Sequence, residues 1–151
     1  MAAVVVRRAI AAPPERVWAT VTDFAAYGQW IPLTTMRVDP APVRVGWGFV
    51  GRTGLRRVGF DDSMLLTRWE PPGPEGMARF TVRKTGRLLA GWADIVLAPA
   101  AAGTDLVWTE EIIVRPEPIG RVLAPLADPV VGRLFAGAVA RMAAIAEAGS
   151  E

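Results

Sequence analysis

Apolar and polar residues change rhythm three times along the chain. Residues 3–11, "AVVVRRAIA", are short and rich in β-branched side chains and run into Pro13 and Pro14, the pattern of an opening strand that stops abruptly. A helix is predicted from there. Proline is preorganised for a first helical turn, Glu15 favours the positive N-terminal end, and Val17, Trp18 and Val21 recur at helical spacing. Asp23 is placed to cap a second short helix, "FAAYGQW", which Pro32 prevents from continuing.

From Val43 to Arg115 the texture becomes short alternations: "RVGWGFVGRT", "SMLLTRWE", "ARFTVRKT", "GWADIVLA" and "TDLVWTEEIIVR". Brief turn signals, "PPGPEG", "TGR" and "PAAAGT", separate them, so successive strands pair as antiparallel meanders. Gly46 and Gly48 flank Trp47 and suit a bend. The connection "TGLRRVGFDD" reads as a hairpin turn, with a mobile lid as the alternative. After Pro116 the period turns helical again: Val131, Phe135, Ala138, Met142 and Ile145 form one stripe of a long C-terminal helix. Pro125 and Pro129 predict that its first part, around Ile119 to Asp128, is a separate turn or a kinked segment. The sheet needs a cover for its apolar face, and this helix is the element long enough to provide one. Residues 1–151 are expected to form a single α+β domain.

Composition removes much chemistry. The 151 residues contain no cysteine and no histidine, which excludes disulfides, thiolate nucleophiles, histidine-dependent triads and zinc sites built from Cys and His. Seventeen basic against fifteen acidic residues leave a net charge of +2, which does not imply nucleic acid. Lys84 is the lone lysine. No uninterrupted apolar run approaches the ~20 residues of a membrane span, and the opening segment lacks the order of a secretory signal, so a cytoplasmic protein without a membrane span is expected. "GWGFVG" lacks the Gly-Lys-Ser/Thr of a phosphate loop and runs into strand. The adjacent acids Asp61, Asp62 and Glu110, Glu111 point to opposite faces pairwise, so no metal site is expected, and no cofactor.

Strand alternation indicates what lines an interior. On "DLVWTEEIIVR", Leu106, Trp108, Glu110, Ile112 and Val114 share the inward face, although a one-residue bulge would substitute Glu111. Phe80, Val82, Ile95 and Leu97 make an apolar wall, and Arg79 and Asp94 fall on the outer surface. A carboxylate in an apolar cavity is costly unless paired or protonated, so Glu110 is the residue best placed to anchor a ligand hydroxyl or act as a general acid/base. The alternative is that it salt-bridges an arginine at a sheet edge or simply faces water.

The order of elements, with "PPERVWATVTDFAAYGQWIP", "FDDSMLLTRWEPP" and "AGTDLVWTEEIIVRP", resembles the START-related superfamily with the helix-grip fold. Within it the chain is similar to the bacterial polyketide cyclase/dehydrase and lipid-transport group. The resemblance implies a curved antiparallel sheet gripping the C-terminal helix, with an apolar cavity between them. It also places Trp30 near the cavity mouth, whereas Trp18 reads as core. The expected partner is a small hydrophobic molecule, aromatic or lipid-like. The expected lining combines Tyr27, Trp30, Trp47, Phe49, Phe60 and Met64 with Phe80, Val82, Ile95, Trp108, Glu110, Phe135 and Met142, and Tyr27 or an arginine would help Glu110 orient the ligand. One alternative is a polyketide aromatase/cyclase or dehydratase with Glu110 as acid/base. Another is a protein-interaction module whose cavity is closed by its own aromatics, which an internal volume below ~300 Å³ would favour. The sequence leaves the oligomeric state open, a dimer included.

Overall fold

The computed structural model describes residues 3–149, without the side chains of Ala124, Leu126 and Ala127. Seven strands, β1 (Val4–Ile10), β2 (Thr34–Val38), β3 (Gly48–Leu55), β4 (Val58–Glu70), β5 (Ala78–Thr85), β6 (Leu89–Ala100) and β7 (Gly103–Val114), form one curved antiparallel sheet. Its order is β1-β7-β6-β5-β4-β3-β2. Helix α1 (Pro14–Val21) and a 3-10 helix (Phe24–Gln29) follow β1, and helix α2 (Glu117–Ala148) lies against the sheet. This is the helix-grip architecture.

Alternation works as expected on the central strands. Ala78, Phe80 and Val82 of β5, Ala93, Ile95 and Leu97 of β6, and Leu106 and Trp108 of β7 are all buried on one face. Pairing of β6 with β7 runs without a register shift from Leu89↔Val114 to Ala100↔Gly103, so Glu110 stays inward and Glu111 outward. The one shift near the core is in β4, between Leu66 and Arg68. It moves the inward parity from Met64 and Leu66 to Trp69, which then meets Trp18 at 4.8 Å between ring centroids. Gly91 sits at φ 121°, and a Cβ there would stand 2.0 Å from the Glu111 carbonyl oxygen, so only glycine lets β6 approach β7 this closely.

Several local expectations need correction. "TTMRV", to which the sequence pattern assigned no element, forms edge strand β2, paired with β3 from Thr34↔Thr53 to Val38↔Phe49. Its β-branched residues favour strand, but it is too short for alternation to stand out between Pro32 and Pro40. The second short helix forms over Phe24–Gln29 as a 3-10 helix, but Asp23 makes no side-chain cap bond to it. "TGLRRVGFDD", by contrast, is the expected hairpin, with Leu55 paired to Val58 across Arg56 and Arg57. Pro125 and Pro129 sit inside α2 instead of marking off a separate turn. Each removes one backbone donor, and that part of the helix is solvent-facing around Arg121, Val122 and Leu123, where water can satisfy the freed carbonyls.

The buried stripe of α2 keeps Ala138 and Met142 of the expected one and departs from it at Ile145. Ala138, Val139, Met142, Ala143 and Ala146 are buried, while Ile145 is 40% exposed. Asp128–Ala148 is long and apolar enough to cross a membrane by composition, in spite of Arg133, Arg141 and Glu147, but here that stripe packs against protein. Two bonds fix the placement: Arg141 Nε donates to the Trp30 carbonyl at 2.9 Å, and the Ala11 N–H donates to Glu147 Oε2 at 3.0 Å.

Candidate functional site

The space between sheet and α2 is divided into a packed end and a hollow end. At the packed end, Phe24 stacks on Phe49 at 4.4 Å and meets Trp47 at 5.4 Å and Phe80 edge-on at 5.5 Å. Trp18 closes this cluster against Phe80 at 5.7 Å. At the hollow end, Tyr27 and Trp30 pack at 4.3 Å, Trp30 meets Trp108 edge-on at 6.0 Å, and Trp108 reaches Phe135 of α2 at 6.4 Å. These rings form the wall of a cavity of about 260 Å³.

Seven of the predicted lining residues come together around it: Tyr27, Trp30, Phe60, Met64, Trp108, Glu110 and Phe135. Trp47, Phe49, Phe80, Val82, Ile95 and Met142 lie off the cavity wall, in the core. They face the same way as the lining residues, but Phe24 and the buried stripe of α2 fill the space above them. The mouth is apolar, with Phe60 39% and Leu134 57% exposed. Ile31, Met36, Leu89, Ile112 and Val131 complete the aliphatic wall, together with Thr34 and Thr53, whose hydroxyls bond each other at 2.9 Å.

Asp62 and Lys84, absent from the predicted set, join Glu110 to form the polar part of the cavity. Lys84 is the next inward position on β5 after Val82, and Asp62 is the inward neighbour of Met64 on β4. Lys84 Nζ donates to Asp62 Oδ2 at 2.5 Å and lies 3.1 Å from Glu110 Oε1, with side-chain exposures of 2% for Lys84 and 5% for Glu110. A third Lys84 donor is directed at Met64 Sδ, 3.9 Å away. The cationic partner of Glu110 is therefore an interior lysine, and not an arginine at a sheet edge. It also occupies the space between two carboxylates that a bound cation would need.

Burial sets the electrostatics. Desolvation pushes the Glu110 carboxyl above its ordinary value, and the Lys84 charge opposes this only in part. Desolvation works against the Lys84 ammonium, but Glu110 and Asp62 outweigh it and hold its pKa above the usual lysine value. The Tyr27 phenol is pushed well up, first by burial and then by the Glu110 charge. Its hydroxyl donates to the Val21 carbonyl, so its proton is already committed within the protein.

Among the described residues, three buried side-chain polar atoms have no hydrogen-bond partner: Asp62 Oδ1, Glu110 Oε2 and Trp108 Nε1. All three residues line the cavity. The Trp108 N–H favours the charged form of Glu110, but the contact falls short of hydrogen-bond geometry and leaves both atoms open. Unpaired buried polar atoms are rare, and each carries a desolvation cost of ~1–3 kcal/mol.

The fold and this cavity define a helix-grip protein with an interior suited to a small hydrophobic ligand. Residues 1–147 match the family model described as polyketide cyclase / dehydrase and lipid transport, and the chain belongs to that family. A crystal structure of a Thermus thermophilus protein is similar with a TM-score of 0.80 at 16% identity, over 99% of this chain and 100% of that one. The Zhui aromatase/cyclase of Streptomyces sp. R1128 gives a TM-score of 0.70 at 15% identity, over 97% and 93% of the two chains. A STAR-related lipid transfer protein of Xanthomonas axonopodis gives 0.66 at 16% identity, over 94% and 82%. At these identities the likeness concerns the fold. No curated protein matches the chain by sequence.

Proposed function

We propose that this protein binds a small hydrophobic molecule, aromatic or lipid-like, between the sheet and α2. The observation that carries this reading is an apolar cavity of about 260 Å³ in which three buried polar atoms lack partners. Its volume is just under the ~300 Å³ at which ligand pockets usually begin. Size alone would therefore favour a protein whose own aromatics close the interior. The unpartnered atoms argue the other way, because a filled, closed core would normally satisfy or exclude them. The volume restricts the occupant to a compact molecule, such as one built on one or two rings. Trp30, Trp108 and Phe135 would supply affinity, while Glu110 and its neighbours would orient the polar end.

Catalysis is the second reading, and the raised pKa of Glu110 inside the cavity favours it. A carboxyl poised in this way can give and take a proton, as a cyclase or dehydratase acting on a poly-keto chain requires. In that case Glu110→Gln abolishes turnover, whereas in a carrier it changes affinity only modestly.

Native mass spectrometry of the protein, purified without organic extraction, tests the main reading. A retained small molecule is expected, and its mass would give its class. A bare chain, together with failure to take up added aromatic or lipid probes, would contradict binding.

A further inference from the structure

We infer that the cavity selects ligands whose polar end is a hydroxyl, phenolic or alcoholic, over ligands that end in a carboxylate or have no polar group. This deepens the binding role proposed above and rests on it.

The inference follows from which polar groups remain available. Tyr27 donates to Val21, and Thr34 bonds Thr53. Lys84 has three N–H donors, directed at Asp62, Glu110 and Met64. Two of the three are held by carboxylates and the third faces only the weak thioether acceptor, so a ligand carboxylate would find at most one lysine donor beside two carboxylates. Buried and wholly without a partner among the described residues are one donor, the indole N–H of Trp108, and two acceptors, Asp62 Oδ1 and Glu110 Oε2.

A hydroxyl is the smallest group that fits this set, because it donates one hydrogen bond and accepts another. Its O–H would go to a carboxylate oxygen and its oxygen would take the Trp108 N–H. A carboxylate would accept from Trp108 but would meet two carboxylates balanced by a single ammonium. An ammonium group would satisfy the carboxylates and leave Trp108 unpaired. A methyl group would leave all three atoms unpaired.

The test uses four naphthalenes of nearly equal size, 1-naphthol, 1-methylnaphthalene, 1-acetylnaphthalene and 1-naphthoate, in equilibrium dialysis against the full chain at neutral pH. Naphthol is expected to bind at least tenfold more tightly than methylnaphthalene, and naphthoate most weakly. Trp108→Phe keeps the aromatic wall and removes the donor. It should cut the lead of naphthol over methylnaphthalene several-fold, over and above any loss of affinity that the smaller ring causes for both ligands alike. Equal binding of naphthol and methylnaphthalene, or naphthoate or acetylnaphthalene ahead of naphthol, would overturn the hydroxyl preference and leave hydrophobic binding intact. If none of the four binds, the preference and the binding role fail together.

Discussion

Strand β5 carries one ionic contact on each face, and comparing them shows how much surroundings outweigh geometry. On the outer face, Arg79 makes a two-pronged contact with Asp94 at 2.8 and 3.0 Å, and Thr81 adds a hydroxyl donor at 2.8 Å. On the inner face, Lys84 meets two carboxylates in less regular geometry and leaves an oxygen open on each. The outer arginine is 41% exposed and the inner lysine 2%. Water screens the outer pair and can replace either partner if the other is lost. The inner cluster has no such substitute, so its charges depend on one another.

Breaking each contact should therefore have unequal cost. Lys84→Met strands two carboxylates in an apolar interior and is expected to destabilise the fold by about 3–5 kcal/mol in urea denaturation at neutral pH. Part of that loss should be recovered as the solution is acidified and Glu110 protonates. A loss below about 1 kcal/mol would mean that water already reaches the cluster.

The pH dependence sharpens the same contrast. Folding raises the pKa of Glu110, so its favourable contribution is complete below about pH 4.3 and is lost as pH rises through the folded-state value. Folding also raises the pKa of Lys84, so its contribution is complete below about pH 10.4 and is lost as pH rises through its own folded-state value. Glu110→Gln removes the first of these losses. The stability of that variant relative to the parent should rise from acid to neutral pH, and a relative fall would show that the Glu110 charge is net stabilising. Smallest is the effect on the outer face, where Arg79→Met should cost no more than about 1 kcal/mol, with little change between low and high salt beyond that amount.

The two faces of β5 were not equally legible in the sequence. Period-two alternation separated Arg79 and Asp94 from Phe80 and Ile95, and on β7 it placed Glu110 inward. The same rule, carried one step past Val82, reaches Lys84, and carried back from Met64 it reaches Asp62. Both signals were present, but a charged residue in a strand usually turns to solvent, and only the sheet order β4-β5-β6-β7 shows Asp62, Lys84 and Glu110 converging across the small Gly91 and Ala93 of β6. The division between core and cavity was not legible. Phe49, Phe80 and Phe135 look alike in an alternation pattern, and whether each touches a cavity depends on where α2 and Phe24 come to rest. Along α2 the predicted stripe turned inward at Val131 and Phe135, on the cavity, and at Ala138 and Met142, in the core, and it failed only at Ile145, beside which the small Ala143 and Ala146 are buried instead.

The central claim is that the inner cluster is the polar floor of a ligand site and the outer pair is not. Because Lys84 is the lone lysine, isotope labelling of lysine gives one side-chain ammonium signal by nuclear magnetic resonance, and labelled arginine provides Arg79 as the internal comparison. On titration with 1-naphthol the Lys84 signal should move and saturate while the Arg79 signal stays in place. Binding detected by dialysis with no movement of Lys84 would contradict the account.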